Sequence, residues 1–276
     1  GVEFTLSTHN IKSKNFNWNT DFIFSKAENE VTDLQQNANV MDLVAGVGFA
    51  KQGYPVRGLF SIPFEKLDKN GIPVLRNESG QLSSTSFNFQ ERDNTDFLIY
   101  EGPTDPTITG SLGNVFTYKG FRLNVFMTYS FGNVVRLNPV FNAKYSDLSA
   151  MTREFKNRWT LPGDENVTNI PAIMSARMYN ELSDYAYAYN AYNYSNVRVA
   201  KGDFIRLKEI SLSYDFPKNW IKPLLLSNLS LKIQATNLFL LYADKKLNGQ
   251  DPEFFNAGGV ASPVPRQFTL TLRLGL

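Results

Sequence analysis

The segment RQFTLTLRLGL, residues 266–276, alternates without a slip. Phe268, Leu270, Leu272, Leu274 and Leu276 hold one phase, and Gln267, Thr269, Thr271, Arg273 and Gly275 hold the other. Successive side chains of a strand point to opposite sides, so the segment has one apolar and one polar face. In a soluble sandwich the apolar face meets a core. In a membrane barrel it meets lipid, and the polar face lines a wet interior. One strand fits both, so the decision falls to the rest of the chain.

The same alternation recurs. NFNWNTDFIFS (15–25) places Phe16, Trp18, Phe22 and Phe24 against Asn17, Asn19 and Asp21. TITGSLGNVFTYK (107–119) keeps Leu112, Phe116 and Tyr118 in phase, with Asn114 as the exception. FRLNVFMTYSF (121–131) sets Phe121, Leu123, Val125, Met127, Tyr129 and Phe131 against Arg122, Asn124, Thr128 and Ser130. NLSLKIQATN (228–237) opposes Leu229, Leu231, Ile233 and Ala235 to Ser230, Lys232, Gln234 and Thr236. GDFIRLKEISLSYDFP (202–217) changes phase between Leu207 and Ile210, and an extra residue near Lys208–Glu209 restores a common face, which predicts a β-bulge there. With Val2, Phe4 and Leu6 alternating at the start, seven segments read as strands. A weaker pair lies near 55–62 and 96–101. The first residues do not form a signal peptide, and the chain reads as a piece of something longer that begins inside a strand.

The connections separate the two readings. NIKSK joins the first two strands, Lys119–Gly120 joins the middle pair, and about a dozen residues around FPKNWIKP join the strands near 203 and 228. The excursions 27–106, 132–202 and 239–265 alternate with these. Short and long connections alternating in strict order place short turns at one rim and long loops at the other, the asymmetry of an outer-membrane barrel. A Greek-key sandwich does not require it.

Composition excludes several classes of function. With 28 Lys and Arg against 26 Asp and Glu, the net charge is +2, which does not point to nucleic acid. The absence of cysteine excludes disulfides, thiolate nucleophiles and Cys-ligated metals. A single histidine, His9, argues against a His-based triad, a His-rich zinc site or a pair of haem ligands, and no nucleophile elbow or phosphate loop is present. His9 itself reads as an ordinary residue of the polar face. No stretch approaches the roughly 20 apolar residues of a membrane helix, a limit that leaves barrel strands of about 9–11 residues untouched. The aromatic load of 22 Phe, 13 Tyr and 3 Trp suits strands and membrane girdles alike.

Candidate binding residues concentrate in MYNELSDYAYAYNAYNYSNVRV (178–199), where Tyr179, Tyr185, Tyr187, Tyr189, Tyr192 and Tyr194 crowd the end of a long loop. Aromatic faces with hydroxyl tips suit a sugar, a peptide or a partner protein. In a structural role they would pack the loop on itself or join the girdle. Asp251 and Glu253 have the chemistry of calcium ligands, but Pro252 between them reads first as a turn, so no metal site is assigned. Asp203, Arg206, Lys208 and Glu209 fit a solvated polar lumen.

Several of these segments resemble the SusC/RagA-type TonB-dependent transporters. The resemblance is carried by GDFIRLKEISLSYDFP, by NLSLKIQATNLF (228–239) with Asn237, by NGQDPEF (248–254) with Asp251, Pro252 and Glu253, and by Pro265–Arg266 before the last strand. YEGPTDPTITGSLGNVFTYKGFRLNVFMTYSFG (100–132) and FNWNTDFIFSKAENEV (16–31) add to it, in the same order, over nearly the whole chain. The chain departs from the family by finishing on Leu276 rather than on an aromatic residue.

The resemblance implies an all-β, antiparallel, up-and-down transmembrane β-barrel of about 22 strands, of which residues 1–276 supply the last seven to nine. The plug and the TonB-contacting segment lie outside this C-terminal portion. The implied function is import of oligosaccharides or peptides through the Gram-negative outer membrane, without enzymatic chemistry or cofactor. Long loops would be extracellular and the C-terminus periplasmic. Implied partners are the rest of the barrel and plug, a SusD-like surface lipoprotein, TonB and membrane lipid. Two alternatives stay open: a scaffold subunit of a larger outer-membrane complex, and a soluble glycan-binding β-sandwich in which Leu123, Val125, Leu229 and Leu231 face a protein core.

Overall fold

The computed structural model describes residues 1–46, 50–140, 151–174, 180, 184–255 and 265–276. The chain opens with two long strands, β1 (Val2–Lys12) and β2 (Phe16–Lys26). Five short strands follow: β3 (Gly58–Ser61), β4 (Phe64–Leu67), β5 (Pro73–Arg76), β6 (Leu82–Ser83) and β7 (Ile99–Pro103). After β8 (Ile108–Tyr118) and β9 (Phe121–Phe131) come the short β10 (Val134–Arg136) and β11 (Val199–Lys201), then β12 (Phe204–Asp215), β13 (Asn228–Ala243) and β14 (Gln267–Gly275). The seven long strands form one antiparallel sheet in the order β1-β2-β8-β9-β12-β13-β14. Each long strand therefore pairs with the next long strand in the chain. This is the up-and-down wall that the alternation predicts, and it is not closed: β1 and β14 each keep one free edge within this chain.

The pairing register lines up the two faces across the whole sheet. Ile11, Trp18, Phe116, Leu123, Leu212, Ile233 and Leu270 are successive cross-strand partners, one from each strand. One residue along, Lys12, Asn17, Thr117, Arg122, Ser213, Lys232 and Thr271 form an all-polar row on the other face. A slip of one residue in any strand would exchange its faces, so apolar and polar demand together pin the register. Asn114, the exception in the sequence pattern, does lie on the apolar side. Its side-chain oxygen accepts from Trp18 Nε1 at 2.9 Å and Thr20 Oγ1 at 2.7 Å, so the carbonyl is satisfied among its neighbours.

The bulge predicted near Lys208–Glu209 is present. Both ladders of β12 shift register between Leu207 and Glu209. The shift returns Ile205, Leu207, Ile210, Leu212 and Tyr214 to one side, because their partners on β9 are Tyr129, Met127, Val125, Leu123 and Phe121. On β13 the same irregularity falls at Asn237, whose φ is +53°. Asn tolerates the left-handed region better than most side chains, which gives this position a backbone reason for its residue.

On β8, Gly110 has a structural reason of its own. The Tyr129 ring lies across it and donates its hydroxyl to the Ile23 carbonyl at 2.8 Å. A Cβ at Gly110 would collide with both the Ile23 carbonyl and the Tyr129 ring. Gly110→Val is therefore expected to cost about 1–3 kcal/mol or more, the range for overpacking. The check is the temperature at which the barrel loses its folded electrophoretic mobility, with Gly113→Ala as a roomier control on the same strand.

The three short connections, 13–15, 119–120 and 216–227, fall at one rim, and 27–107, 132–203 and 244–266 at the other. The weak pair from the sequence exists as β3 and β7, which pair with each other in the first long connection and not in the wall. Burial follows the same division. Among the described residues, Phe204 and Ala235 are the buried apolar side chains of the large sheet, whereas Val40, Leu43, Val44, Phe60, Ile62 and Leu75 pack together in the connections. Ile233, Leu270 and Leu272 of the apolar face stay 54–69% exposed. Among the described residues, the apolar side chains of the wall thus stay largely uncovered while the connections hold the packed cluster.

Candidate functional site

The long connections build a layer above one rim, and two arginines, Arg136 half-buried and Arg198 buried, hold it together. Arg136, on β10, donates through Nη1 to Ser61 Oγ at 3.1 Å and to the Ser195 carbonyl at 2.9 Å. Its Nη2 donates to the Val44 and Phe60 carbonyls at 3.1 and 2.6 Å. One guanidinium thus binds segments of the first and second long connections, a geometry that the planar fork of Arg supports and Lys does not. Burial lowers its pKa to about 10, and the neighbouring Glu101 carboxylate opposes that shift. Burial in turn pushes the Glu101 carboxyl up, against a hydrogen bond from Ser61 and the Arg136 charge.

Arg198 is 2% exposed and makes a two-pronged pair with Glu154 at 2.7 and 3.0 Å, with a further bond to the Asn138 carbonyl at 2.7 Å. Its guanidinium lies 5.9 Å from the centre of the Tyr192 ring. Tyr192 is itself buried, and burial pushes its hydroxyl up to about 12. Above this pair opens a cleft of about 560 Å³, walled by Asn157, Arg158, Thr168, Asn169, Lys246 and Asn248. The walls offer amides, a hydroxyl and cations, with the Glu154 and Asp164 carboxylates among them. These groups suit recognition by hydrogen bonds and charge.

The tyrosine cluster divides by burial. Tyr185, Tyr187, Tyr189 and Tyr192 lie on a helix, Tyr185–Asn193, where the sequence reading has only a loop. The helix buries Ala188, Tyr189, Ala191 and Tyr192, a spacing of helical period. Tyr189 donates its hydroxyl to the Ala172 carbonyl at 2.9 Å, and burial raises its pKa. Tyr185 packs against the cluster of Ile72, Met174 and Tyr189. Tyr194, half-buried, lies 5.8 Å from the Arg136 guanidinium. Tyr187 is 51% exposed and is the member of the helix that offers its ring to solvent. Tyr179 lies outside the described residues.

Asp251 and Glu253 reach the inner wall. Arg206, 6% exposed on the polar face of β12, pairs with Asp251 Oδ1 through Nη2, and its Nε lies 2.7 Å from Glu253 Oε2. Asp251 also accepts from the Glu253 amide at 3.1 Å, which makes the turn expected at Pro252. Both carboxylates are committed to a guanidinium. Among the described residues, no group of three or more acidic or imidazole side chains is placed to hold a metal ion. Of the other residues named, Asp203 accepts from the Gly132 amide at 2.7 Å, Glu209 accepts from Asn124 at 3.2 Å, Lys208 is the bulge residue, and His9 stands opposite Asn19. Sequence reasoning missed Arg136 and Arg198. Each sits singly among apolar residues, and no spacing announces the carbonyls they collect.

The chain is similar in sequence to TonB-dependent receptors. It is 25% identical over 274 residues to TonB-dependent receptor P3 of Formosa agariphila, an alignment covering 92% of this chain and 25% of that one. It is 26% identical over 294 residues to the TonB-dependent receptor SusC of Bacteroides thetaiotaomicron, covering all of this chain and 26% of the receptor. The chain therefore spans about a quarter of the length of these curated relatives. In fold it matches the RagAB peptide transporter with a TM-score of 0.71 at 19% identity, over 99% of this chain and 28% of that one. The RagAB peptide importer in its open-open state gives 0.70 at 17% identity. No family model matches.

Proposed function

We propose, from the premise that this chain is similar to SusC/RagA-type TonB-dependent receptors, that it supplies wall and outer loops to an outer-membrane nutrient importer. The observation that carries the reading is the pair of unbroken rows across seven strands, one apolar with no member buried, one polar. A soluble sandwich would cover Ile233 and Leu270 with a second sheet, and among the described residues they stay open. The free edges of β1 and β14 would be costly in lipid, so they pair with strands from the rest of the barrel. Residues 1–276 are then the C-terminal portion of a barrel whose plug and TonB-contacting segment lie elsewhere in the protein.

In this reading the arginine-tied loop layer is extracellular and the short turns and C-terminus are periplasmic. The layer forms one side of a chamber that a SusD-like lipoprotein caps. The cargo is a peptide or an oligosaccharide. The cleft at Arg198 and the exposed ring of Tyr187 are its candidate contacts, with amides and cations suited to the carbonyls and carboxylates of a peptide.

Purification of the full-length protein from outer membranes in detergent tests the reading. A polypeptide about four times the length of this chain, copurifying with a surface lipoprotein, is expected. Recovery as a free chain that stays in solution without detergent would overturn it. Growth of a deletion strain on a peptide digest and on oligosaccharides as alternative sole nutrients assigns the cargo.

A further inference from the structure

The connection between β12 and β13 is the odd member of its rim. It runs over residues 216–227, where its counterparts are 13–15 and 119–120. It folds into a helical turn, Lys218–Ile221, followed by a 3-10 turn, Lys222–Leu224. Ile221 is tucked in at 2% exposure. Trp220, Leu224 and Leu225 are 62%, 63% and 87% exposed. An apolar cluster of that size, on a turn long enough to have buried it, marks an interaction surface.

Two observations say what covers it. The first is continuity with the apolar face of the wall. Phe121 and Tyr214 are cross-strand partners with rings 4.4 Å apart, and Tyr214 meets Phe216 at 4.9 Å. Tyr118 and Phe121 extend this aromatic edge, both nearly half exposed. Phe216 begins the connection, so the apolar patch continues the rim's aromatic band. The second is charge. Lys218 and Lys222 are exposed on the same turns, and no Asp or Glu occurs between Asp215 and Asp244. Trp, Leu and Lys without acids is the chemistry of a segment that lies at the level of phospholipid headgroups. The patch also sits inside the sheet order, between β12 and β13, with β14 standing between it and the nearer free edge where a further wall strand attaches.

We infer that residues 216–227 dock on the phospholipid leaflet at the short-turn rim, with Trp220, Leu224 and Leu225 entering the acyl boundary and Lys218 and Lys222 meeting phosphates. This rests on the membrane-barrel reading above. The cluster acts as an anchor that fixes the height of the barrel in the bilayer at one point of its rim, as interfacial Trp and Lys do for membrane proteins generally.

The test is quenching of Trp220 by brominated lipid. The full-length protein and its Trp220→Phe and Trp18→Phe variants are reconstituted in phosphatidylethanolamine–phosphatidylglycerol vesicles, with or without acyl chains brominated near the headgroup. The emission lost in Trp220→Phe should fall by roughly half in brominated vesicles, as for a ring at the acyl boundary. Leu224→Ser with Leu225→Ser should reduce that quenching while the protein stays inserted. Trp18 lies in the apolar row of the wall and reports the barrel reading independently. Quenching of Trp18 without Trp220 would overturn the anchor and leave the barrel standing, with the patch covered by protein. Quenching of neither would overturn both.

Discussion

Replacing Arg206 by Ala frees the last long connection from the inner wall. Arg206 is 6% exposed, and Asp251, its principal partner, has a side chain only 10% exposed. Removing one member of a buried pair leaves the other charge without compensation, a loss of about 3–5 kcal/mol. Glu253, about one-third exposed, recovers solvent more easily and adds less. The connection keeps other ties: Asp244 accepts from the Lys201 amide at 2.8 Å, and Leu247 is buried beside Val135, Leu137 and Ala200. The expected effect is thus local opening rather than loss of the wall. Lys245 and Lys246 stand in this segment, so trypsin reads the opening directly. Cleavage there should quicken by about a hundredfold to a few thousandfold in Arg206→Ala, since each 1.4 kcal/mol is a factor of ten in the open population. Arg206→Met combined with Asp251→Leu should recover most of the protection, because an apolar pair of similar volume replaces a buried ion pair at small cost. Unchanged cleavage in the single variant would mean that the pair does not hold the connection.

The contrast between wall and loop layer explains what the sequence discloses. Every wall strand carries the same two faces, one apolar and one polar, so its pattern is written locally at period two. Even the irregularity at Lys208 is visible, because Ile205 and Leu207 fall out of phase with Ile210, Leu212 and Tyr214 and a bulge is the cheapest repair. The loop layer is held by contacts distant in sequence. Tyr185, Tyr187 and Tyr189 alternate like a strand, yet the interleaved alanines let the segment turn helical and bury Ala188, Tyr189, Ala191 and Tyr192 against elements far away. Arg136 collects carbonyls from residues 44, 60 and 195, and no local spacing encodes such a set. For the same reason, β3 and β7 show in the sequence only as a weak pair, β4 to β6 are too short to reveal themselves, and residues 251 and 253 read as a turn without disclosing Arg206 as their partner.

Ile233→Arg and Ile233→Trp together decide what the apolar face touches. Ile233 lies between Leu212 and Leu270 in the apolar row and is 54% exposed. An arginine there, facing lipid, costs about 2–4 kcal/mol near the middle of the bilayer and about 0–1 near its surface. The row also holds Trp18, two residues from the start of β2, which places it between the bilayer middle and the short-turn rim, so about 1–2 kcal/mol is expected for Arg. Its neighbour Gln234 faces the other way, paired with Ser211 and Thr269, and Gln234→Arg should stay within about 0.5 kcal/mol. That asymmetry alone would also arise if a second protein surface covered Ile233. The larger ring of Trp separates the cases. Lipid chains rearrange around it, so Ile233→Trp leaves stability and membrane level unchanged. A packed core cannot rearrange, and the same substitution there costs about 1–3 kcal/mol. Measured as folded fraction in isolated outer membranes, a penalty for Arg with none for Trp or for Gln234→Arg is the signature of a lipid-facing wall. A penalty for both substitutions at Ile233 would instead mean that protein covers this face.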